Sequence, residues 1–285
     1  MLFNSIEFLL FLPIVFVLYW FVFNNNLRVQ NALILVSSYL FYGWWDWRFL
    51  SLIAVSSIVD FIVGLRLGNA GLSNASRRRW LGLSLSVNLG MLGAFKYFNF
   101  FIESADQALS LIGLSASGLR LEWILPVGIS FYTFQTLSYT LDIFRGQLKP
   151  VRDPISFFAF VAFFPQLVAG PIVRSDELIP QFYEPKKASG NAFIMGLLLL
   201  TIGLFEKTVF ADSLLSPAVE AVFGAKDALL PLDAWMGVLA FSGQIFFDFA
   251  GYSLCAIGIA MTLGIHLPDN FRFPYGAIGF SDLWQ

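Results

Sequence analysis

The stretch AWMGVLAFSGQIFFDFAGYSLCAIGIAMTLGI, residues 234–265, decides the fold class of this chain. It carries one charged side chain, Asp248, and it is longer than the roughly 20 apolar residues that a helix needs to cross a bilayer. A helix of this length must be strongly tilted in a membrane, or broken. Gly251, Gly258 and Gly264 offer places at which it could break.

The rest of the chain has the same apolar character. Of its 285 residues, 58% are hydrophobic and 13% are charged, whereas about a quarter of the residues of soluble domains are charged. So few charges could not cover the surface of a soluble domain, but a bilayer accepts an apolar exterior if backbone polar groups are paired internally. The net charge of -2 gives no reason to expect a nucleic-acid partner.

Six further apolar stretches are long enough to span a membrane, at about 5–23, 29–45, 47–68, 80–102, 123–144 and 191–211. We therefore predict an all-α polytopic transmembrane bundle with about seven spanning helices, built as a single membrane domain over residues 1–285. No basic residue precedes the first stretch and no small-residue cleavage site follows it, so it is interpreted as a retained helix with Tyr19 and Trp20 at one interface.

Basic residues in short loops predict the orientation, because they are retained on the cytoplasmic side. Arg48, Arg120 and Lys226 lie outside if the N-terminus is outside, and Lys96 and Lys207 lie within apolar stretches. The other 12 of the 17 basic residues then fall in cytoplasmic segments: Arg28, Arg66, Arg77, Arg78, Arg79, Arg145, Lys149, Arg152, Arg174, Lys186, Lys187 and Arg272. The reverse orientation would invert this rule.

A shorter apolar segment, residues 155–170, has basic loops on both sides that belong on the same face of the membrane. We therefore expect it to enter the membrane and return. Pro165 and the pair Gly170-Pro171 interrupt its helical hydrogen bonding, which is tolerated at membrane depth only beside protein or a water-filled cavity. A short kinked span is the alternative.

Ionisable side chains inside apolar stretches mark candidate sites, because each is costly at bilayer depth unless it is paired or hydrated. For Asp60 we expect an interfacial cap or an ion pair with Arg66, and for Glu206 and Lys207 a pair that extends toward the outer interface. Asp248 lies near the middle of its stretch. It must face a polar interior or cavity, or fix helix packing through hydrogen bonds.

The single cysteine and the single histidine exclude several kinds of site. Cys255 excludes an intrachain disulfide and a cysteine metal cluster, and its apolar neighbours favour a packed core residue over a thiol acyl carrier. His266 excludes a histidine cluster, and its place just after an apolar stretch favours a surface residue over a general base. No metal site and no tightly bound cofactor are predicted.

Three stretches carry a resemblance to a known family: LPVGISFYTFQTLSYTLD (125–142), FFPQLVAGPIVR (163–174) and QIFFDFAGYSLCAIGIAMTLGIHLPDNFRFPY (244–275). Together they resemble the membrane-bound O-acyltransferase family, and within it the branch of the bacterial alginate O-acetyltransferase membrane subunit. FNSIEFLLFLP (3–13) and SSYLFYGWWDWRFL (37–50) are similar to the same branch. The resemblance therefore covers essentially the whole chain.

The resemblance implies an O-acyltransferase, and by default an O-acetyltransferase, of the bacterial inner membrane. Such an enzyme moves an acyl group from a cytoplasmic thioester, acetyl-CoA or an acyl carrier, to hydroxyls of an extracytoplasmic polysaccharide such as alginate, or to a relay protein. Its implied partners are membrane lipid, the polysaccharide and extracytoplasmic acetylation proteins. We expect Gln244, Asp248, Tyr252 and Asn270 to line a polar tunnel or pocket through the membrane body.

One departure from the family pattern concerns the catalytic residues. Family members continue after the equivalent of SDLWQ with a segment of the type RWHISLS and have a second histidine later, whereas the sequence here stops at Gln285. His266 matches neither family histidine. The resemblance thus implies an N-terminal fragment that is inactive by itself, with no catalytic residue among the 285.

Two other functions stay open from the sequence. A secondary transporter would also have broken helices and buried charge, but it should show internal repeats, and no repeat is visible in this chain. A non-catalytic membrane assembly subunit would show the same topology without a catalytic histidine.

Overall fold

The structure, a computed structural model, describes residues 1–110, 126–168, 170–226, 228–271 and 274–283. Within these ranges it is built of helices and connecting loops, with no β-strand. Several residues considered above fall outside the described ranges: Arg120, Arg272, Ala169 and the first residues of the 123–144 stretch.

The helices follow the predicted apolar stretches. In the first half they are α1 (Ile6–Val17), α2 (Leu27–Gly43), α3 (Leu50–Leu67), α4 (Asn74–Leu92), α5 (Phe98–Ser110) and α6 (Ile129–Arg145). In the second half they are α7 (Pro154–Ala162), α8 (Phe164–Leu167), α9 (Ser175–Leu178), α10 (Gly190–Phe205), α11 (Ser216–Phe223), α12 (Pro231–Thr262) and α13 (Phe280–Leu283). π-Helical segments extend α1, α4 and α10, over Leu18–Val22, Gly93–Tyr97 and Glu206–Leu215. Short 3-10 turns are Trp47–Phe49, Ile179–Tyr183 and Pro274–Gly276.

Among the residues that the structure describes, three continuous helical rods are long and apolar enough to cross a membrane, by length and composition: Trp47–Leu67, Gly190–Phe223 and Pro231–Thr262. Shorter apolar helices cover Ile6–Val22 and Pro154–Leu167. The prediction of an all-α membrane helical bundle is therefore confirmed.

The helix pairs that form the bundle are α2 with α7, α3 with α4 and α6, and α10 with α12. Aromatic rings fill the space between them. The Phe164 ring meets the Phe11 ring edge-on, with centroids 5.3 Å apart, and lies 5.6 Å from that of Phe41. These contacts tie the two N-terminal helices to the broken segment in the middle of the chain.

Among the described residues, α12 is the longest α-helix, and it is continuous through Gly251 and Gly258, so neither of these glycines breaks it. It ends before Gly264, whose φ of +72° is a left-handed conformation that favours glycine. At about 1.5 Å per residue the helix is about 48 Å long. Of the two alternatives, a tilted helix and a broken helix, the tilted helix is therefore the one that fits.

Gly251 and Gly258 serve instead to bring α12 against α10. A Cβ atom on Gly203 would lie 2.5 Å from the Gly251 carbonyl oxygen, and one on Gly196 would lie 2.6 Å from that of Gly258. Only residues without side chains allow two backbones to approach this closely, as is common between membrane helices. The glycine spacing therefore marks a packing seam.

The first helix docks onto the end of α12 through its aromatic residues. Trp20 donates a hydrogen bond from Nε1 to the carbonyl oxygen of Thr262, at 2.9 Å. This carbonyl belongs to the last turn of α12, where helical partners are lacking. Tyr19, next to Trp20, is fully buried within the protein.

The segment predicted to enter the membrane and return is a helix of nine residues, α7, broken at Phe163 and continued by one turn, α8. Backbone groups that lose their helical partners at this break form hydrogen bonds with side chains of other helices. The Phe164 N–H donates to Ser38 Oγ at 3.1 Å, and Gln135 Nε2 donates to the Phe160 carbonyl at 3.1 Å. The broken backbone is therefore enclosed in protein, where its polar groups find hydrogen-bond partners that lipid could not supply.

A buried polar network joins α3, α4 and α6 around Asp60. Asp60 accepts hydrogen bonds from Ser84 Oγ at 2.6 Å and from Asn88 Nδ2 at 2.8 Å. Arg66 lies over the ring of Trp80, 5.6 Å from its centroid. The expectation of an interfacial cap or a pair with Arg66 is therefore wrong, because Asp60 is completely buried between three helices.

Candidate functional site

The predicted pocket residues of α12 share one face of the helix. Gln244, Asp248 and Tyr252 are four residues apart, which is close to one helical turn. This face looks toward α10 and the π-helical segment that continues it.

Lys207 of that π-helical segment contacts two residues of this face, Asp248 and Tyr252. Its Nζ lies 2.6 Å from Asp248 Oδ1 and 2.6 Å from Asp212 Oδ1, and 5.5 Å from the centroid of the Tyr252 ring. The Lys207 side chain is 16% exposed, whereas those of Asp212 and Asp248 are 45% and 47% exposed. The ammonium group is thus enclosed by its partners, and we call Lys207, Asp212, Asp248 and Tyr252 the charged cluster.

The π-helical geometry of Glu206–Leu215 makes this cluster possible. In an α-helix, side chains five residues apart point about 140° away from each other. A π-helix bonds residue i to residue i+5, so Lys207 and Asp212 come onto one face. π-Helical turns are frequent at functional sites.

The two residues at the start of this segment lie against different neighbours. Lys207 contacts Asp248 and Tyr252, whereas Glu206 lines a cavity with Ala250 and Ser253 of α12. The expected Glu206–Lys207 pair is therefore not formed. The ion pair of Asp248 with Lys207 joins α12 to this π-helical segment.

The chain after α12 turns back along the helix. His266 is followed by an irregular stretch in which Asn270 Nδ2 donates to Ser253 Oγ at 2.8 Å and Tyr275 Oη donates to the Ser242 carbonyl at 2.9 Å. We call residues 265–271 and 274–276 the return segment. It lies against a different face of α12 from the charged cluster, since Phe246 of that face is two residues, or about 200°, away from Asp248.

A cavity of about 210 Å³ lies between α12, the return segment and Glu206. Its polar lining consists of Glu206, Ser253, Asp269 and Asn270, and its apolar lining of Phe246, Ala250, Leu254, Ile257 and Phe271. We call it the Glu206 cavity. A concave, mostly apolar space with a few convergent polar groups is the usual form of a small-molecule site.

The structure thus divides the four predicted pocket residues. Asp248 and Tyr252 belong to the charged cluster, and Gln244 lies one turn away on the same face, where its Oε1 is buried and has no hydrogen-bond partner among the described residues. Asn270 lines the Glu206 cavity on another face of α12.

Sequence reasoning did not find Asp212, Ser253 or Asp269. Asp212 follows Lys207 by five residues, a spacing that carries no signal for an α-helix. Ser253 is a single hydroxyl in an apolar run, and Asp269 lies in a stretch with no regular periodicity.

The single histidine and the single cysteine lie as predicted. His266 is exposed, and its backbone N–H donates to Gln181 Oε1 at 2.8 Å. Cys255 is buried against α10, with its Sγ 3.7 Å from the Leu200 carbonyl oxygen. Among the residues that the structure describes, no three His, Cys, Asp or Glu side chains are grouped so that they could hold a metal ion.

Comparison with known proteins gives a family and several relatives. The family model of MBOAT, the membrane-bound O-acyltransferase family, matches residues 111–280. A probable alginate O-acetylase of Azotobacter vinelandii is 38% identical over 286 residues, covering 100% of this chain and 56% of the relative. The probable alginate O-acetylase of Pseudomonas aeruginosa is also 38% identical, covering 100% of this chain and 54% of the relative.

A peptidoglycan O-acetyltransferase of Helicobacter pylori is 35% identical over 316 residues, covering 100% of this chain and 58% of the relative. The chain therefore spans little more than half the length of the curated relatives that it matches. The family model covers more than half of the chain, including α6 to α12 with the broken segment, the charged cluster and the Glu206 cavity. By this match, the chain belongs to the membrane-bound O-acyltransferase family.

Proposed function

We propose that the protein acts as a membrane O-acetyltransferase. It takes an acetyl group from a thioester donor, acetyl-CoA or an acyl carrier, on the cytoplasmic side. It delivers the group to hydroxyls of an extracytoplasmic polysaccharide such as alginate, directly or through a relay protein. Family membership and the names of the relatives, which act on alginate and on peptidoglycan, support this proposal.

The observation that carries the proposal is the concentration of polar groups along α12. The charged cluster and the Glu206 cavity lie on two faces of this helix, within a rod that is long and apolar enough to span a membrane. Ionisable residues in such a rod are expensive and are retained mainly for function.

The proposed orientation places the N-terminus outside and the protein in the bacterial inner membrane, as a single membrane domain. Phe3, at the start of the chain, contacts Tyr252, with ring centroids 5.8 Å apart, whereas Trp20 contacts Thr262 at the end of α12. In this orientation the end of α12 at Thr262 lies toward the cytoplasm, and the charged cluster lies near the middle of the helix. Acceptor and donor would then approach α12 from opposite ends.

The proposed roles of the pocket residues follow from their contacts. Asp248, held by Lys207, and Tyr252 and Gln244 on the same face line the polar path, and Asn270 lines the cavity on the other face. The acceptor hydroxyl needs a general base. His266 is exposed and belongs to neither site, so we place that base outside residues 1–285.

Labelled acetyl transfer tests the proposed function. Membranes containing the full-length protein and its extracytoplasmic acetylation partners are supplied with acetyl-CoA labelled in the acetyl group, together with alginate or peptidoglycan. We expect ester-linked label in alginate, above the level in membranes that lack the protein. Label in peptidoglycan alone would contradict alginate as the acceptor, and label in neither polymer would contradict O-acetyl transfer.

A further inference from the structure

A second cavity, of about 320 Å³, lies where three helical elements meet. It is lined by the last turn of α12 at Met261 and Thr262, by the first turn of α10, and by the end of α1 with the π-helical segment that continues it. Lys187, in the loop before α10, also lines it. We call it the Lys187 cavity.

The walls of this cavity are aromatic. The rings of Phe16 and Phe193 pack against each other with centroids 4.9 Å apart. Trp20 adds its indole ring, whose N–H already donates to the Thr262 carbonyl oxygen at 2.9 Å. Since the polar atom of the indole has its partner, these three rings offer a ligand apolar contact and suit a hydrocarbon chain.

The loop before α10 brings two unpaired ammonium groups to this cavity. The Lys186 Cβ atom lies beside Gly264, which lines the cavity, and Lys187 lines it directly. Neither lysine forms an ion pair within the part of the chain that the structure describes, and no described residue of the lining is acidic. Partial burial lowers the pKa of Lys186. An anionic group therefore fits this side of the cavity, because it would neutralise charge that the protein leaves unpaired.

The cavity lies at the boundary between apolar helices and a loop. Two of the rods that are long and apolar enough to cross a membrane meet there, Gly190–Phe223 at its first residues and Pro231–Thr262 at its last. The aromatic walls belong to the helices, and the lysines belong to the loop. A molecule with an anionic head and an apolar chain matches both parts, as basic pockets between membrane helices match anionic lipids.

We propose that the Lys187 cavity binds one anionic phospholipid of the surrounding membrane. Its phosphate accepts hydrogen bonds from Lys186 and Lys187, and one acyl chain lies along Phe16, Trp20 and Phe193. The unpaired lysines favour an anionic lipid over a zwitterionic one, whose own cation offsets the phosphate, and the apolar walls favour a lipid over a free phosphate. This site is separate from acyl transfer and does not depend on the proposed function.

Lipid binding by the delipidated full-length protein, measured by native mass spectrometry, provides the first test. The wild type should bind phosphatidylglycerol about tenfold more tightly than phosphatidylcholine with the same acyl chains. In Lys186→Gln/Lys187→Gln the affinity for phosphatidylglycerol should fall about tenfold, and that for phosphatidylcholine should stay within about twofold. Arg78→Gln/Arg79→Gln removes the same charge at two exposed positions of α4, and as the matched control it should change neither affinity.

A labelling measurement locates the lipid in the cavity. Ala188 lines the cavity and is exposed, so Ala188→Cys is open to N-ethylmaleimide, whereas the native Cys255 is buried. This cysteine should react at least about threefold more slowly in nanodiscs of phosphatidylglycerol than in nanodiscs of phosphatidylcholine. Ala75→Cys, at an exposed position of α4, should react equally in both. Glycerol 3-phosphate added to the phosphatidylcholine nanodiscs should not protect Ala188→Cys.

Several results would overturn the lipid site. In the binding measurement these are equal affinities of the wild type for the two lipids, or a lysine variant that binds phosphatidylglycerol as tightly as the wild type. In the labelling measurement they are equal rates at position 188 in the two kinds of nanodisc, or protection by glycerol 3-phosphate, which would show an anion site without a lipid chain. Labelling leaves both lysines in place, so it decides the question even if the lysine variant does not fold.

Discussion

Lys207 is the residue on which the charged cluster depends, since it alone in the cluster carries positive charge. Its ammonium group neutralises two carboxylates, Asp212 and Asp248, and contacts the face of Tyr252. Each carboxylate is about half exposed, so each can be partly solvated without the lysine. Removal of the lysine leaves two like charges close together, whereas removal of one carboxylate leaves an ion pair.

We predict that Lys207→Met lowers the free energy of unfolding by about 1–3 kcal/mol and that Asp248→Asn lowers it by about 1 kcal/mol. Thermal unfolding of the detergent-solubilised protein measures both. Lys226→Met, at an exposed position between helices, is the control and should be within about 0.5 kcal/mol of wild type. Equal effects of Lys207→Met and Lys226→Met would show that the cluster contributes nothing to stability.

The sequence identified Asp248 and Lys207 as unusual but not as partners. For Asp60 the sequence favours an interface, because Arg66 is close in the chain. Its true partners, Ser84 and Asn88, come from another helix. Pairs between helices depend on the packing of the bundle, which periodicity within one helix does not report.

Among the helices, α10 and α12 pack with their backbones in direct contact at glycine residues. Gly196 and Gly203 of α10 face Gly258 and Gly251 of α12, at equal spacings of seven residues. The same seam places Lys207 one turn beyond Gly203, opposite Gly251. Close backbone packing thus positions the charged cluster.

We predict that Gly203→Ala destabilises the protein by about 1–3 kcal/mol, because the new Cβ would lie 2.5 Å from a backbone oxygen that cannot move aside. Gly82→Ala is a matched control within α4, where an added Cβ meets no atom within 4 Å. It should stabilise the protein by about 0.5–1 kcal/mol, as glycine is a poor helix former. Thermal unfolding measures both variants. If both substitutions changed the free energy of unfolding in the same direction, Gly203 would not be part of a close packing seam.

The positions of the elements could largely be predicted from the sequence, because apolar stretches of sufficient length have few alternatives in a membrane. The break in 155–170 was also predictable, since Pro165 removes a backbone donor; the structure places the break at Phe163, two residues earlier. The packing role of Gly251 and Gly258 could not be predicted, because a glycine in a long apolar stretch indicates a hinge and a packing contact equally well.

The whole molecule is a helical membrane body with buried polar groups around Asp60, between α3, α4 and α6, and along α12. The charged cluster lies near the middle of α12, where Phe3 contacts Tyr252, and Trp20 is bonded to the end of α12 at Thr262. Under the proposed function, an acyl group crosses the membrane along this helical body. The proposed function has a direction, with the donor on the cytoplasmic side and the acceptor on the outer side.

Acetyl transfer in sealed inner-membrane vesicles tests this direction of transfer. Vesicles from cells that make the full-length protein and its acetylation partners are prepared inside-out or right-side-out, and acetyl-CoA labelled in the acetyl group is added outside. We predict label on alginate trapped within inside-out vesicles and none on alginate within right-side-out vesicles. Equal labelling in the two preparations, or labelling only in right-side-out vesicles, would contradict transfer from the cytoplasmic to the outer side.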